Sequence, residues 1–150
     1  MGLDRTDKKI LKNLLADARL SARQIGLKLG LSTVTVISRM KRLKEEKIIR
    51  GYSAITDHEK LGYAITAIIE VAAKKSKIMD IESELSMIKN VCGVYDVTGN
   101  TDTMIIAKFR GRNEISDFVK KLSTMPNVEN TITHIVLNTT NEDFRLAQKL

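Results

Sequence analysis

Seven side chains between positions 32 and 42 are of types that bind nucleic acid. Ser32, Thr33, Thr35 and Ser38 carry hydroxyls, while Arg39, Lys41 and Arg42 carry positive charge. Hydroxyl and ammonium groups hold phosphate oxygens, and a guanidinium can also donate two parallel hydrogen bonds to the edge of a guanine. Chemistry of this kind reads and grips a duplex without making or breaking a covalent bond. Arg39 has a second reading, an ion pair within the chain. Val34 and Ile37 lie among these polar groups but off the apolar stripe that Val36, Met40 and Leu43 form at i, i+4, i+7. Two readings stay open for them: contact with thymine methyl groups, or packing against the first helix or the linker. Arg23, Lys28 and Arg50 are phosphate clamps or solvated charges.

These groups need short, well-capped helices to present them. Ser21 precedes Gln24 by three residues, the spacing of a capping box. The second helix follows it, with Ile25 and Leu29 inward, and Gly30 supplies a tight turn. Ser32 is placed to cap a third helix over residues 33–46. A first helix is expected over residues 4–18, with Asp4 as its cap, Asp7 in the first turn and Ile10, Leu11, Leu14 and Leu15 as its apolar stripe. Gly26 costs the second helix about 1 kcal/mol relative to Ala; a close crossing that leaves no room for a Cβ would account for it. The pattern is a helix-turn-helix, whose last helix enters the major groove.

The distribution of charge agrees. Of the 25 Lys and Arg, fourteen lie in the first sixty residues against seven acidic residues; the remaining ninety residues hold eleven of each sign. The whole net charge of +7 thus accompanies the helix-turn-helix and reads as a phosphate-binding footprint. Aromatic content of 4% with no Trp argues against base stacking as the main binding mode. No apolar run approaches the ~18 residues of a membrane span, and the first residues do not resemble a signal peptide. A single cysteine, Cys92, forms neither an internal disulfide nor a zinc set, so a reduced cytoplasmic setting is expected. Cys92 sits in an apolar strand pattern and reads as a small buried hydrophobe.

After residue 47 the periodicity changes. Residues 48–55 read as a strand and residues 57–62 as a polar connector, which puts the domain junction within 51–62. Strands are expected over 64–73, 91–98, 103–109 and 128–138, and helices over 77–88 and 113–125, with Pro126 ending the second. The order βαββαβ is a ferredoxin-like antiparallel sheet with helices on one face. The fold class is therefore α+β. A three-helix helix-turn-helix domain (1–50) joins through a strand linker (51–62) to the βαββαβ domain (63–140), followed by a tail (141–150) that is a candidate short helix. Ile65, Ala67 and Ile69 on one side of the first strand, and Ala64, Thr66, Ile68 and Glu70 on the other, leave both faces substantially apolar, which calls for a partner on the face that the helices do not cover. Gly99, Asn100 and Asp102 have the residue types of a hairpin turn. No HExxH, GxSxG, Walker A or paired Cys/His cluster appears, so no enzyme is expected.

The ordered combination resembles the Lrp/AsnC regulators. It comprises Leu3, Asp4 and Asp7 at the start of helix one, the Ser21 to Leu31 segment, and Ser32, Val36, Arg39, Met40 and Leu43. Ile48, Ile49, Gly51 and Tyr52 follow, then Leu61 and Gly62, then Gly99 and Asp102. The resemblance spans essentially the whole chain. It implies a transcription regulator that binds double-stranded DNA through the first domain and senses a small molecule, usually an amino acid, through the second. It implies homo-oligomers: dimers with facing sheets that commonly assemble into octamers. It also turns the hairpin into a ligand loop. Gly99, Asn100, Thr101, Asp102 and Thr103 become effector contacts, with Asp102 accepting from an ammonium, and Thr131 and Thr133 add hydroxyls from a neighbouring chain. Thr101 and Thr103 stand where the family often has aromatic residues. The rival function is a ligand-independent architectural DNA-binding protein.

Overall fold

Three helices open the chain, and each starts where a short polar side chain replaces a missing intrahelical partner. The computed structural model describes residues 2–145. Helix α1 (Arg5–Ala16) begins with a reciprocal pair: the Asp7 N–H donates to the Asp4 carboxylate at 2.8 Å, and the Asp4 N–H donates to Asp7 at 3.1 Å. Helix α2 (Ala22–Leu29) uses Ser21 and Gln24 in the same way. Helix α3 (Thr33–Glu45) is capped by Ser32, whose Oγ accepts from the Thr35 N–H at 3.1 Å. The α2–α3 turn depends on two glycines. Gly30 ends α2 at φ 67°, in the left-handed region. At Gly26 a Cβ would lie 2.7 Å from the Leu31 carbonyl oxygen, so the turn folds back onto α2 at a distance only glycine allows.

Ile10, Leu11, Leu14, Ile25, Val36, Leu43 and Ile49 form the core of this first unit, which comprises residues 2–55 with 141–145. Lys47, at φ 57°, reverses the chain after α3, so that the Ile48 and Ile49 N–H groups donate to the Leu43 carbonyl. The strand expected over residues 48–55 does not form. A strand exists only as part of a ladder, and no described segment of the chain pairs with these residues. Residues 141–145 carry no helix, and the rest of the expected tail helix lies outside the described residues.

The second unit, Thr56–Thr140, is a four-stranded antiparallel sheet with strand order β2-β3-β1-β4. Strand β1 (Ile65–Ala73) is central and pairs with β3 (Thr103–Phe109) and β4 (Val128–Ile135), while β2 (Val91–Asp96) lies outside β3. A single 3₁₀ turn (Lys75–Lys77) leads into α4 (Ile78–Ser86), and α5 (Arg112–Ser123) joins β3 to β4. Strand alternation sends Ala67, Ile69, Val71, Ile105, Ala107 and Phe109 to the helix side, where they pack with Ile81, Leu85, Phe118 and Leu122. Phe109 and Phe118 meet edge to face with centroids 5.2 Å apart. The opposite face carries Ile68, Ile106 and Ile132, with Glu70 Oε1 and His134 Nε2 2.8 Å apart. Cys92 departs from its expected burial. It is the extra residue where the β2–β3 register shifts between Val91 and Gly93, and this bulge on an edge strand leaves it exposed.

Candidate functional site

Helix α3 divides its residues between two faces. Val36 and Leu43 are fully buried. Thr33, Val34, Ile37, Ser38, Lys41 and Lys44 are exposed; 34, 37, 41 and 44 follow one another at spacings of three or four, and Ser38 lies four after Val34, which keeps them on one side. Val34 is 76% exposed and Ile37 54%, so neither packs into the core beside it. Ser32 and Thr35 are partly committed to the cap, with their hydroxyl oxygens 2.8 Å apart. Lys44 belongs to the outer face too, although the sequence reading did not single it out. Its position seven residues after Ile37 was the available signal.

Arg39 takes the second of its two readings, an ion pair within the chain, and the structure corrects the expectation of an outward-facing guanidinium at Arg42. Both turn back to the N-terminus of α1. Arg39 Nη1 donates to Asp4 at 2.6 Å and to Asp7 at 2.8 Å, and Arg42 Nη2 donates to the other Asp7 oxygen. Asp7 is completely buried, so two carboxylates and two guanidinium groups fasten the recognition helix to the first helix. The Arg39 hydrogen bond, with help from the Asp7 N–H, lowers the Asp4 pKa to about 2. The same bonds to Asp4 and Asp7 raise that of Arg39. The free positive charge on the outer face is thus left to Lys41 and Lys44. Lys41 is only loosely paired with Glu45, at 3.9 Å on the surface.

The second candidate site lies at the β2–β3 connection. Gly99, at φ 128°, and Asn100 are exposed. The three residues that follow are already engaged within the chain. Thr101 Oγ1 donates to the Val71 carbonyl at 3.0 Å, Asp102 accepts from the Ala73 N–H at 2.9 Å, and Thr103 Oγ1 donates to Glu82 at 3.0 Å. Thr103 is buried against α4, so it is not open to a ligand in this chain. Asp102 is half-buried and acts as a clasp that binds the loop to the end of β1. Thr131 and Thr133 sit on the other flank of β1, paired opposite Val71 and Ile69. The structure therefore brings the loop and Thr131 to opposite sides of the same residue, Val71, rather than into mutual contact.

A capped helix-turn-helix followed by a βαββαβ domain defines a two-domain DNA-binding regulator. The AsnC-type helix-turn-helix domain matches residues 3–44, and the Lrp/AsnC ligand binding domain matches residues 66–146. The chain belongs to the Lrp/AsnC family of transcriptional regulators; it is a regulator, not an enzyme. It is 44% identical to an uncharacterised HTH-type transcriptional regulator of Pyrococcus furiosus over 146 residues, 97% of this chain and 99% of that one. It is 35% identical to the HTH-type transcriptional regulator FL11 of Pyrococcus horikoshii over 147 residues, 98% and 97% of the two chains. Its fold is similar to that of a transcriptional regulator from Neisseria meningitidis crystallised as a complex with L-Met. That match has a TM-score of 0.87 at 28% identity and covers 97% of this chain and 96% of the other.

Proposed function

We propose that the protein is a sequence-specific, cytoplasmic DNA-binding regulator whose assembly or DNA affinity responds to an amino acid. The observation that carries the DNA half is the outer face of α3. Hydroxyls at Thr33 and Ser38, ammonium groups at Lys41 and Lys44, and two exposed apolar side chains are mounted on a helix whose other side is locked into a core. Ser32 and Thr35 flank this face at the helix N-terminus, the end from which a recognition helix contacts bases. Arg39 and Arg42 act here by holding the helix against Asp7.

The ligand half draws on the matched ligand-binding domain and on the L-Met complex of the Neisseria relative. In this reading Gly99, Asn100, Thr101 and Asp102, with Thr131 and Thr133, surround the effector where chains meet. The apolar open face of the sheet is covered by a second copy, and dimers assemble further into rings such as octamers. A two-fold pair of chains would present two α3 helices to a pseudo-palindromic site. One observation favours the rival reading of a ligand-independent architectural protein: the side chains of Thr101, Asp102 and Thr103 are already engaged inside the chain.

Selection of bound genomic fragments by the full-length protein, with and without a mixture of the common amino acids, separates the two. Enrichment of a short pseudo-palindrome that changes with the mixture supports a ligand-responsive regulator. Uniform recovery, unchanged by amino acids, overturns it in favour of the architectural reading.

A further inference from the structure

Among the described residues, Val34 and Ile37 have no place in the core. They are exposed on α3 while Val36 and Leu43 fill the core from the same helix. Both are β-branched, which costs helix propensity and confers no compensating burial here. The same branching locks χ1, so each presents its methyl groups in one direction with little entropy left to lose on contact. They lie one turn apart on a face shared with Ser38 and Lys41. Three residues of helix rise about 4.5 Å, which is close to the ~3.4 Å between successive base pairs.

We propose that Val34 and Ile37 read thymine C5-methyl groups on two neighbouring base pairs in the major groove. The proposal rests on the DNA-binding reading above and names what that surface selects. The thymine methyl is the one apolar group that unmodified base edges present in that groove, so it matches two exposed aliphatic side chains as no other base feature does. Charge decides against a second copy of the chain as the occupant. The pair is bordered by Lys41 and Lys44 in a segment that carries the molecule's entire positive excess, so two such faces repel each other while the duplex attracts both. The ion pairs of Arg39 and Arg42 strengthen the assignment, because they remove the groups best suited to guanine from the outer face and leave a surface biased towards A·T pairs.

The test uses the full-length protein and a duplex recovered by the selection described above. Each thymine is replaced in turn by deoxyuridine, which keeps every hydrogen-bonding group and removes only the methyl. Two adjacent positions in each half-site are expected to lose about fourfold in affinity, the weight of one buried methyl group. The Val34→Ala and Ile37→Ala variants are expected to become insensitive to deoxyuridine, each at one of the two positions. Both substitutions replace an exposed residue with a better helix former, and the deoxyuridine series on the unaltered protein needs no variant at all. Unchanged affinity across the series, with sequence preference intact, overturns the methyl assignment and leaves the regulator standing. An absence of any sequence preference overturns the regulator itself. A lower sedimentation mass for either alanine variant reassigns the pair to a contact between copies and also overturns the proposal.

Discussion

Replacing Asp7 by Asn tests whether the α1–α3 ion network is structural. The buried carboxylate receives Arg39 Nη1 at 2.8 Å, Arg42 Nη2 and the Asp4 N–H at 3.1 Å. An amide there offers one acceptor and turns an NH2 group towards a guanidinium, so at least one charged hydrogen bond is lost and a donor meets a donor. Breaking a fully buried pair costs about 3–5 kcal/mol. The guanidinium side chains are 27% and 35% exposed and Arg39 keeps Asp4, so part of the lost solvation returns. That places the expected cost at roughly 2–3 kcal/mol. For a unit of this size it is a large share of a stability near the lower end of ~5–15 kcal/mol. Urea denaturation of the full chain, read by hydrogen exchange at α1 and α3 amides, should show the first unit opening at lower urea while the second is unmoved. A loss below about 0.5 kcal/mol, the scale of an exposed surface pair, would refute the reasoning. The same network predicts how Arg39→Gln fails on DNA. Affinity falls because α3 is misplaced, but the slope of log K against log salt stays the same. A slope shallower by about 0.9 would instead mean a direct phosphate contact.

Lys41→Gln should behave in the opposite way, with a salt slope shallower by about 0.9 and no change in the denaturation midpoint; an unchanged slope removes Lys41 from the phosphate contacts. Gly26→Ala should destabilise the first unit by about 1–2 kcal/mol in spite of better helix propensity, because the new Cβ meets the Leu31 carbonyl oxygen; thermal denaturation measures it, and a stabilised variant would contradict the close approach. The depressed Asp4 pKa sets an acid limit. Its contribution is fully present above the ordinary carboxylate value of 3.8 and is lost as the pH falls through about 2, so Asp4→Asn should flatten the decline in stability between those values. Asp102→Asn should weaken the clasp on the Ala73 N–H by about 1 kcal/mol and leave amino-acid-free DNA affinity intact while altering any amino-acid response; DNA titrations with and without the amino-acid mixture would show it.

The elements were legible because their causes are local. Cap residues sit three positions from their partners, and turn glycines and strand alternation act over a few residues. Hence Ser21 with Gln24, Gly30 and the βαββαβ order stand in the sequence much as they stand in the fold. What failed was non-local. The strand expected over residues 48–55 has the right residue types but no ladder among the described residues, and strand propensity is a statement about a neighbour. The Cys92 bulge likewise depends on the register of β3.

The arginines show the same limit and also a signal that was there to use. Arg39 lies three residues after Val36 and four before Leu43, so helical geometry puts it on the border of the buried stripe rather than opposite it. A charged residue on that border needs a partner if it is to be desolvated. Asp4 and Asp7, spaced as a capping box with an aspartate in the place usual for glutamate, were the carboxylates available at an electropositive helix end. Position relative to the core distinguishes Arg39 from Lys41, but the inward turn of Arg42 has no such signal: Lys44, four residues after Met40, lies nearer the buried stripe than Arg42 does. The same rule applied to the apolar residues picks out Val34 and Ile37. In a short helix whose inner face is already filled, a side chain of either kind that the core does not account for is the one presented to a partner.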